Sequence, residues 1–351
     1  MKTSSSNSRA KTETKPAAAA DFDVTWWCRS AHIQTLWPTL FRHRPRIAAR
    51  RERLELPDGD FIDLDWSKNA TGPVVVILHG LEGSSQSPYA RGIFSALERH
   101  GMRPLVMHFR GCSGEPNRLS RGYHSGDTGD FDFLLRTLRQ REPDAPIAAI
   151  GYSLGGNVLL KWLGEVGSGA GIFAAAAVSV PFELQVSALR LDVGLSRIYQ
   201  TYLLTSLKRS LRRKFHNRTP PYSAEHAAAA RNFWEFDEAV TAPLHGFAGA
   251  SDYYARSSSR QYLAKIGIPT LMVQAVDDPF MSRAVIPGPD ELPPTVTLEL
   301  HAHGGHVGFI TGRWPWRPVF WLEQRIPRFL AHQLTLHAAA NSATAVANAA
   351  L

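Results

Sequence analysis

The chain has 351 residues, 44% of them apolar and 20% charged, with a net charge of +8; the length allows one large α/β domain or two ordinary ones, and the composition is that of a mostly globular chain rather than a disordered one. No apolar run reaches the ~18 residues that cross a bilayer, which excludes a membrane-spanning helix, and two cysteines exclude a disulfide framework and suit a reducing, cytoplasmic compartment. The cationic excess is local, in Arg42–Arg53 and Leu207–Phe215, with no nucleic-acid-binding motif beside it, so no nucleic-acid partner is expected.

In chain order, residues 1–20 are polar and alanine-rich, lack the apolar core of a secretory signal, and read as a disordered tail ahead of a domain over 21–335. Phe22–Phe41 is aromatic, with Trp26, Trp27 and Trp37, and is suited to pack across the core or line a pocket. Arg51–Trp66 alternates apolar and polar residues around Asp58-Gly59, which predicts a β-hairpin with both strands half exposed. Short continuous apolar runs then predict buried strands at Val74–Leu78, Arg103–His108, Ile147–Tyr152, Ala174–Val180, Thr270–Gln274 and Thr295–Leu300. Runs of that kind belong to a mostly parallel sheet covered on both faces, and helices are predicted between them at Pro88–His100, Gly126–Arg141 and Asn157–Val166.

From 181 to 268 the strand rhythm stops and the chain reads as helices with mixed apolar and basic faces. An insertion of that length in an open sheet predicts a helical cap over the strand ends, where such sheets bind ligands. Residues 336–351, rich in alanine and asparagine, read as a flexible C-terminal tail.

The chemistry is concentrated around Ile147–Leu160, a strand, a sharp turn and a helix, with Gly151, Ser153 and Gly155 forming G-x-S-x-G. This is the pattern of a nucleophile elbow, in which a strained turn lifts the serine hydroxyl above the sheet and side chains at the glycines would strike neighbouring backbone. A helix-capping serine is the plainer alternative; a phosphate loop is excluded by Asn157, which stands where its lysine would be. A serine nucleophile needs a base and an acid, each after a later strand.

Asp277 and Asp278 end the Thr270 strand, with Asp278, directly before Pro279-Phe280, favoured as the acid and Asp277 as a turn cap. His306 is the favoured base, because Gly304, Gly305 and Gly308 would let its loop approach the serine, while His301 and His303 read as structural or surface residues. These three histidines also approximate a metal cluster of the form H-x-H-x-D-H, but Gly305 replaces the aspartate, so no metal and no cofactor are expected. Backbone N–H groups of Leu81, in His79–Ser84, and of Leu154 are the expected oxyanion donors. His79 is expected to orient its loop, and Cys112 to be a small buried loop residue.

Taken together, His79-Gly-Leu-Glu-Gly-Ser, His108-Phe-Arg-Gly-Cys-Ser-Gly, Gly151-Tyr-Ser-Leu-Gly-Gly-Asn, Asp277-Asp-Pro-Phe and His303-Gly-Gly-His-Val-Gly-Phe resemble the YheT-like branch of the α/β-hydrolase superfamily, related to eukaryotic abhydrolase-domain lipases. The resemblance covers Trp26 to Leu330. It implies the α/β-hydrolase fold and a serine esterase with Ser153, His306 and Asp278 as triad, acting on a small-molecule ester or lipid without a metal. An acyltransferase using the same triad and a catalytically idle binding protein are the alternatives. Five cations, Lys208, Arg209, Arg212, Arg213 and Lys214, make the cap a candidate for peripheral membrane contact, with a cap helix whose basic face is simply solvated as the equal alternative.

Overall fold

The computed structural model describes residues 22–43 and 45–349, so the predicted tail over 1–20 lies outside the described residues. The chain opens with helix α1 (Ala31–Leu40) and the hairpin β1 (Arg50–Glu55) and β2 (Phe61–Trp66). The alternating core follows: β3 (Val74–Leu78), α2 (Pro88–Arg99), β4 (Arg103–Met107), α3 (Gly129–Arg141), β5 (Ile147–Tyr152), α4 (Leu154–Val166) and β6 (Ala174–Val178). After β6 come α5 (Leu184–Leu191), α6 (Ser196–Lys214), α7 (Ala224–Ala229), α8 (Phe233–Phe236), α9 (Ala242–His245) and α10 (Ala250–Ser257). The chain then returns through β7 (Thr270–Ala275), β8 (Val296–His301), the short pair β9 (Ile310–Thr311) and β10 (Val319–Phe320), and α11 (Leu322–Ala349).

Eight strands form one sheet in the order β1-β2-β4-β3-β5-β6-β7-β8, with β3 to β8 parallel and β1 and β2 antiparallel at one edge. The continuous apolar strands are explained by cover on both faces. Val74, Val76 and Leu78 of β3 pack with α3 and α4 through Leu134, Leu138, Val158 and Leu159. Val75 and Ile77 point the other way, onto Ile93, Phe94 and Leu97 of α2 and Leu322, Ile326 and Leu330 of α11. With two strand faces buried, polar residues would have no place to alternate into.

Two expectations are corrected here. The hairpin is not half exposed on both strands: β1 is largely exposed, whereas every residue of β2 is buried. Strand β2 lies between β1 and β4, and its aspartates are buried with partners. Asp63 is held by Arg53 at 2.9 Å, Asp65 by Arg51 and His108 at 2.8 and 2.9 Å, and Asp60, just before the strand, by Arg110 and Asn117. Helix α11 runs through Ala349, past residue 335, so 336–349 are helical rather than a loose tail; alanine is the best helix former, and the exposed turn over 338–343 needs nothing to pack against. Cys28 and Cys112 are both free.

Candidate active site

Ser153 sits between β5 and α4 with φ 52° and ψ −117°, a left-handed conformation that costs a non-glycine residue on the order of 1 kcal/mol or more. The flanking glycines are required by contact. A Cβ on Gly151 would lie 2.5 Å from the Gly155 carbonyl oxygen, and one on Gly155 would lie 2.5 Å from the carbonyl oxygens of Leu78 and His79. The elbow is therefore wedged against the end of β3, which brings the loop after β3 to the serine: a Cβ on Gly80 would be 3.4 Å from the Ser153 Cβ.

Three side chains from the ends of β5, β7 and β8 converge. The Ser153 hydroxyl donates to His306 Nε2 at 3.0 Å, and His306 Nδ1–H donates to Asp278 Oδ2 at 2.9 Å. Asp278 is buried, and its other oxygen accepts the Phe280 amide at 2.8 Å. Phe280 lies flat on the imidazole at 4.0 Å and 3°, covering one face of it. Of the two aspartates, then, Asp278 reaches the imidazole. Asp277 accepts the Gly305 amide at 2.9 Å and pairs with His303 at 3.2 Å, capping the histidine loop.

The glycines around His306 serve a different purpose from the one read in the sequence. Gly305, at φ 58°, would press a Cβ to 2.5 Å from the Ala31 carbonyl oxygen, and Gly308 faces the Gln34 backbone. They admit α1, not the serine, and α1 in turn holds the loop: Thr35 Oγ1 accepts the His306 amide at 2.9 Å, and Gln34 Oε1 accepts the Ile310 amide at 2.6 Å. Sequence reasoning missed Thr35; a threonine 271 residues away carries no local signal. The three histidines go to three places, His301 against Phe22, Phe309 and Trp321, His303 to Asp277, and His306 to the serine.

Leu81 and Leu154 both line the cavity above Ser153, and neither backbone N–H meets an acceptor among the described residues. His79 is wholly buried behind them. Its Nδ1–H donates to the Gly80 carbonyl at 2.7 Å, and its Nε2 accepts the Phe109 amide at 3.2 Å. The second contact requires the neutral ring, and burial holds the imidazole down to about 3. Glu82, the next loop residue, is also at positive φ, and its carboxylate accepts from Tyr123 and from Ser206 and Ser210 of α6, tying the loop to the helices above it. Burial pushes the Cys112 thiol upward, which keeps it an inert loop residue.

The cavity has a volume of about 690 Å³, within the roughly 300–1,000 Å³ of ligand pockets. Its walls are α1 and the segment between β6 and β7, including Leu184, Leu191, Ile198, Tyr202 and Tyr254. A smaller chamber of about 150 Å³ shares Leu81, Glu82 and Leu154 with it and carries His124, His245 and Lys214. Burial lowers both histidines to about 3 and Lys214 to about 7.

Against known proteins, the family described as "alpha/beta hydrolase fold" matches residues 73–313. The chain belongs to the α/β-hydrolase family. Its relatives include "Putative esterase YheT" of Escherichia coli (strain K12), 46% identical over 324 residues, covering 91% of this chain and 95% of that one. "Phospholipase ABHD3" of Homo sapiens is 32% identical over 311 residues, covering 86% of this chain and 76% of that one. Among solved structures, the Pyrococcus furiosus esterase PF2001 shares this α/β-hydrolase fold at a TM-score of 0.53 and 16% identity, covering 82% of this chain and 91% of that one. The α/β-hydrolase sheet and the YheT-like relationship follow from these likenesses, and the relatives themselves are named esterase and phospholipase. No helix among the described residues is long and apolar enough to cross a membrane.

Proposed function

We propose that the protein is a serine carboxylic-ester hydrolase acting on acyl esters of lipid character, with residues 181–268 as its cap. The observation that carries this is the unbroken relay from the Ser153 hydroxyl through His306 to buried Asp278 at the floor of a large apolar cavity. His306 takes the hydroxyl proton as Ser153 attacks the ester carbonyl, and Asp278 holds the ring with Nε2 as acceptor and stabilises the imidazolium. The tetrahedral oxyanion is received by the amides of Leu81 and Leu154, each such donor being worth ~3 kcal/mol in the transition state. His306 then protonates the departing alcohol, leaving an acyl group on Ser153. Water, deprotonated by His306, attacks the acyl-enzyme; the acid leaves and the serine regains its proton. The relatives named phospholipase and esterase support a lipid or ester substrate.

The test is a series of p-nitrophenyl esters and glycerolipids of graded chain length with wild type and Ser153→Ala. Turnover and fluorophosphonate labelling should both disappear in the variant while folding is retained. Full esterase turnover by Ser153→Ala would refute the reading, and transfer of the acyl group to an added alcohol in preference to water would redirect it to acyl transfer.

A further inference from the structure

Several large apolar side chains are exposed, and they gather at one place. On α1, Ile33, Leu36 and Leu40 recur at helical spacing and share a face, 42%, 41% and 65% exposed, with Phe41 following at 65%. At the start of α6, Leu195, Ile198 and Tyr202 do the same, at 61%, 66% and 71%. The two helices are joined by the His32–Tyr199 hydrogen bond of 2.9 Å. Leu36, Leu40, Leu195, Ile198 and Tyr202 are exposed and also line the cavity above Ser153. Apolar side chains thus continue from the cavity onto the outside of the protein, a contiguous patch of the kind that marks an interaction surface.

Charge identifies the occupant. Neither α1 nor α6 contains an aspartate or glutamate. The exposed stripe of Ile198 and Tyr202 continues along α6 to Arg209 and Arg212, both exposed and without an ion pair among the described residues. The sequence suggested a five-cation face, but two of the five are spent elsewhere. Lys208 Nζ donates to the Ala228 and Ala230 carbonyls, and Lys214 Nζ donates to Asn117 and the Arg121 carbonyl.

We propose that this apolar collar and the arginines beyond it dock the protein on an anionic lipid surface, with the cavity mouth facing the bilayer. Aliphatic and aromatic side chains enter the boundary between headgroups and acyl chains while Arg209 and Arg212 meet lipid phosphates. The inference rests on the proposed lipid-ester reading only for what then enters the cavity, and the docking itself is measured without catalysis.

The experiment uses full-length Ser153→Ala protein, sedimented with phosphatidylcholine vesicles with and without phosphatidylglycerol. The protein should sediment with the anionic vesicles, and less so as salt rises. Ile33→Ser with Phe41→Ser, neither of which lines the cavity, should lower the partition constant about tenfold or more. The same pair in the wild-type background should leave hydrolysis of a short soluble ester unchanged. Arg209→Gln with Arg212→Gln should lower anionic-vesicle binding about thirtyfold and flatten its salt dependence. Absence of vesicle binding by the parent would overturn the proposal, as would parent-like binding by either pair of substitutions. So would a dimer of the parent that these substitutions convert to monomer, which would assign the collar to a second copy.

Discussion

Two adjacent aspartates, Asp277 and Asp278, follow β7, and the geometry gives them opposite sensitivities. Asp278→Asn exchanges one oxygen for an amide nitrogen at nearly constant shape. Because Oδ1 accepts the Phe280 amide at 2.8 Å, the remaining carbonyl oxygen stays there and the new NH₂ faces His306 Nδ1. Two donors cannot share a 2.9 Å contact, so the imidazole shifts its proton to Nε2, the atom that must take the proton of Ser153. The same tautomer error in another serine hydrolase costs ~10⁴ in kcat, or ~5.5 kcal/mol at 1.36 kcal/mol per tenfold.

Asp277→Asn loses a charge on the Gly305 amide and on His303, whose side chain is 45% exposed. That contact is worth ~1 kcal/mol, which keeps kcat/KM within about tenfold of wild type. Single-turnover kinetics on a p-nitrophenyl ester, with thermal melts of both variants to establish folding, measure the difference. A larger loss in Asp277→Asn, or an Asp278→Asn enzyme within tenfold of wild type, would refute the assignment.

Two further outcomes follow from burial and contact. His79 has a folded-state value of about 3 against ~6.5 unfolded. The unfolded chain therefore binds the proton first: the His79 contribution is complete above pH ~6.5 and is lost at ~1.4 kcal/mol per unit down to about 3. Denaturant titrations between pH 7 and 5 should show His79→Gln reducing that slope by about this amount, and an unchanged slope would contradict the locked neutral ring. Gly155→Ala drives a Cβ into two backbone carbonyls, a cost at the upper end of ~1–3 kcal/mol. It should lower the melting temperature by several degrees and separate the Leu81 loop from Ser153, so a fully active, equally stable variant would be inconsistent with the wedge.

What could be read from the sequence was whatever is written locally. Strands β3, β5 and β7 declare themselves through continuous apolar runs, because cover on both faces leaves no polar alternation, and the site loops follow as the segments after those strands. Burial of β2 was hidden because Asp65 and Asp60 depend on Arg51, His108 and Arg110, partners that only the folded sheet brings near. The role of α1 was hidden for the same reason. The segment WWCRSAHIQTLWPTLF, which contains α1, announces an aromatic cover, but nothing in it announces that Thr35 will hold the amide of His306.

The backbone itself carries the last piece of the argument. Among the described residues, five that are not glycine lie at positive φ: Glu82, Ser153, Ser179, Val307 and Phe309. They follow β3, β5, β6 and β8, so the strain is confined to the carboxyl edge of the sheet that holds Ser153 and His306. β-branched Val307 is the costliest of them. Its amide donates to Ser179 Oγ at 3.0 Å, so one strained loop secures another, while the Glu82 amide is held by Tyr123 at 2.8 Å and that of Ser153 by the Val178 carbonyl at 2.9 Å. Strain of ~1–3 kcal/mol per residue persists only where surroundings over-determine it. Cross-loop bonds supply that here, and they tie together the loops that carry the proposed donors, the amides of Leu81 and Leu154, and the proposed relay from Ser153 to Asp278. Donors fixed in advance lower a barrier without reorganising during the reaction, which makes the rigidity of these loops, rather than any single contact, the property that the proposed hydrolysis depends on.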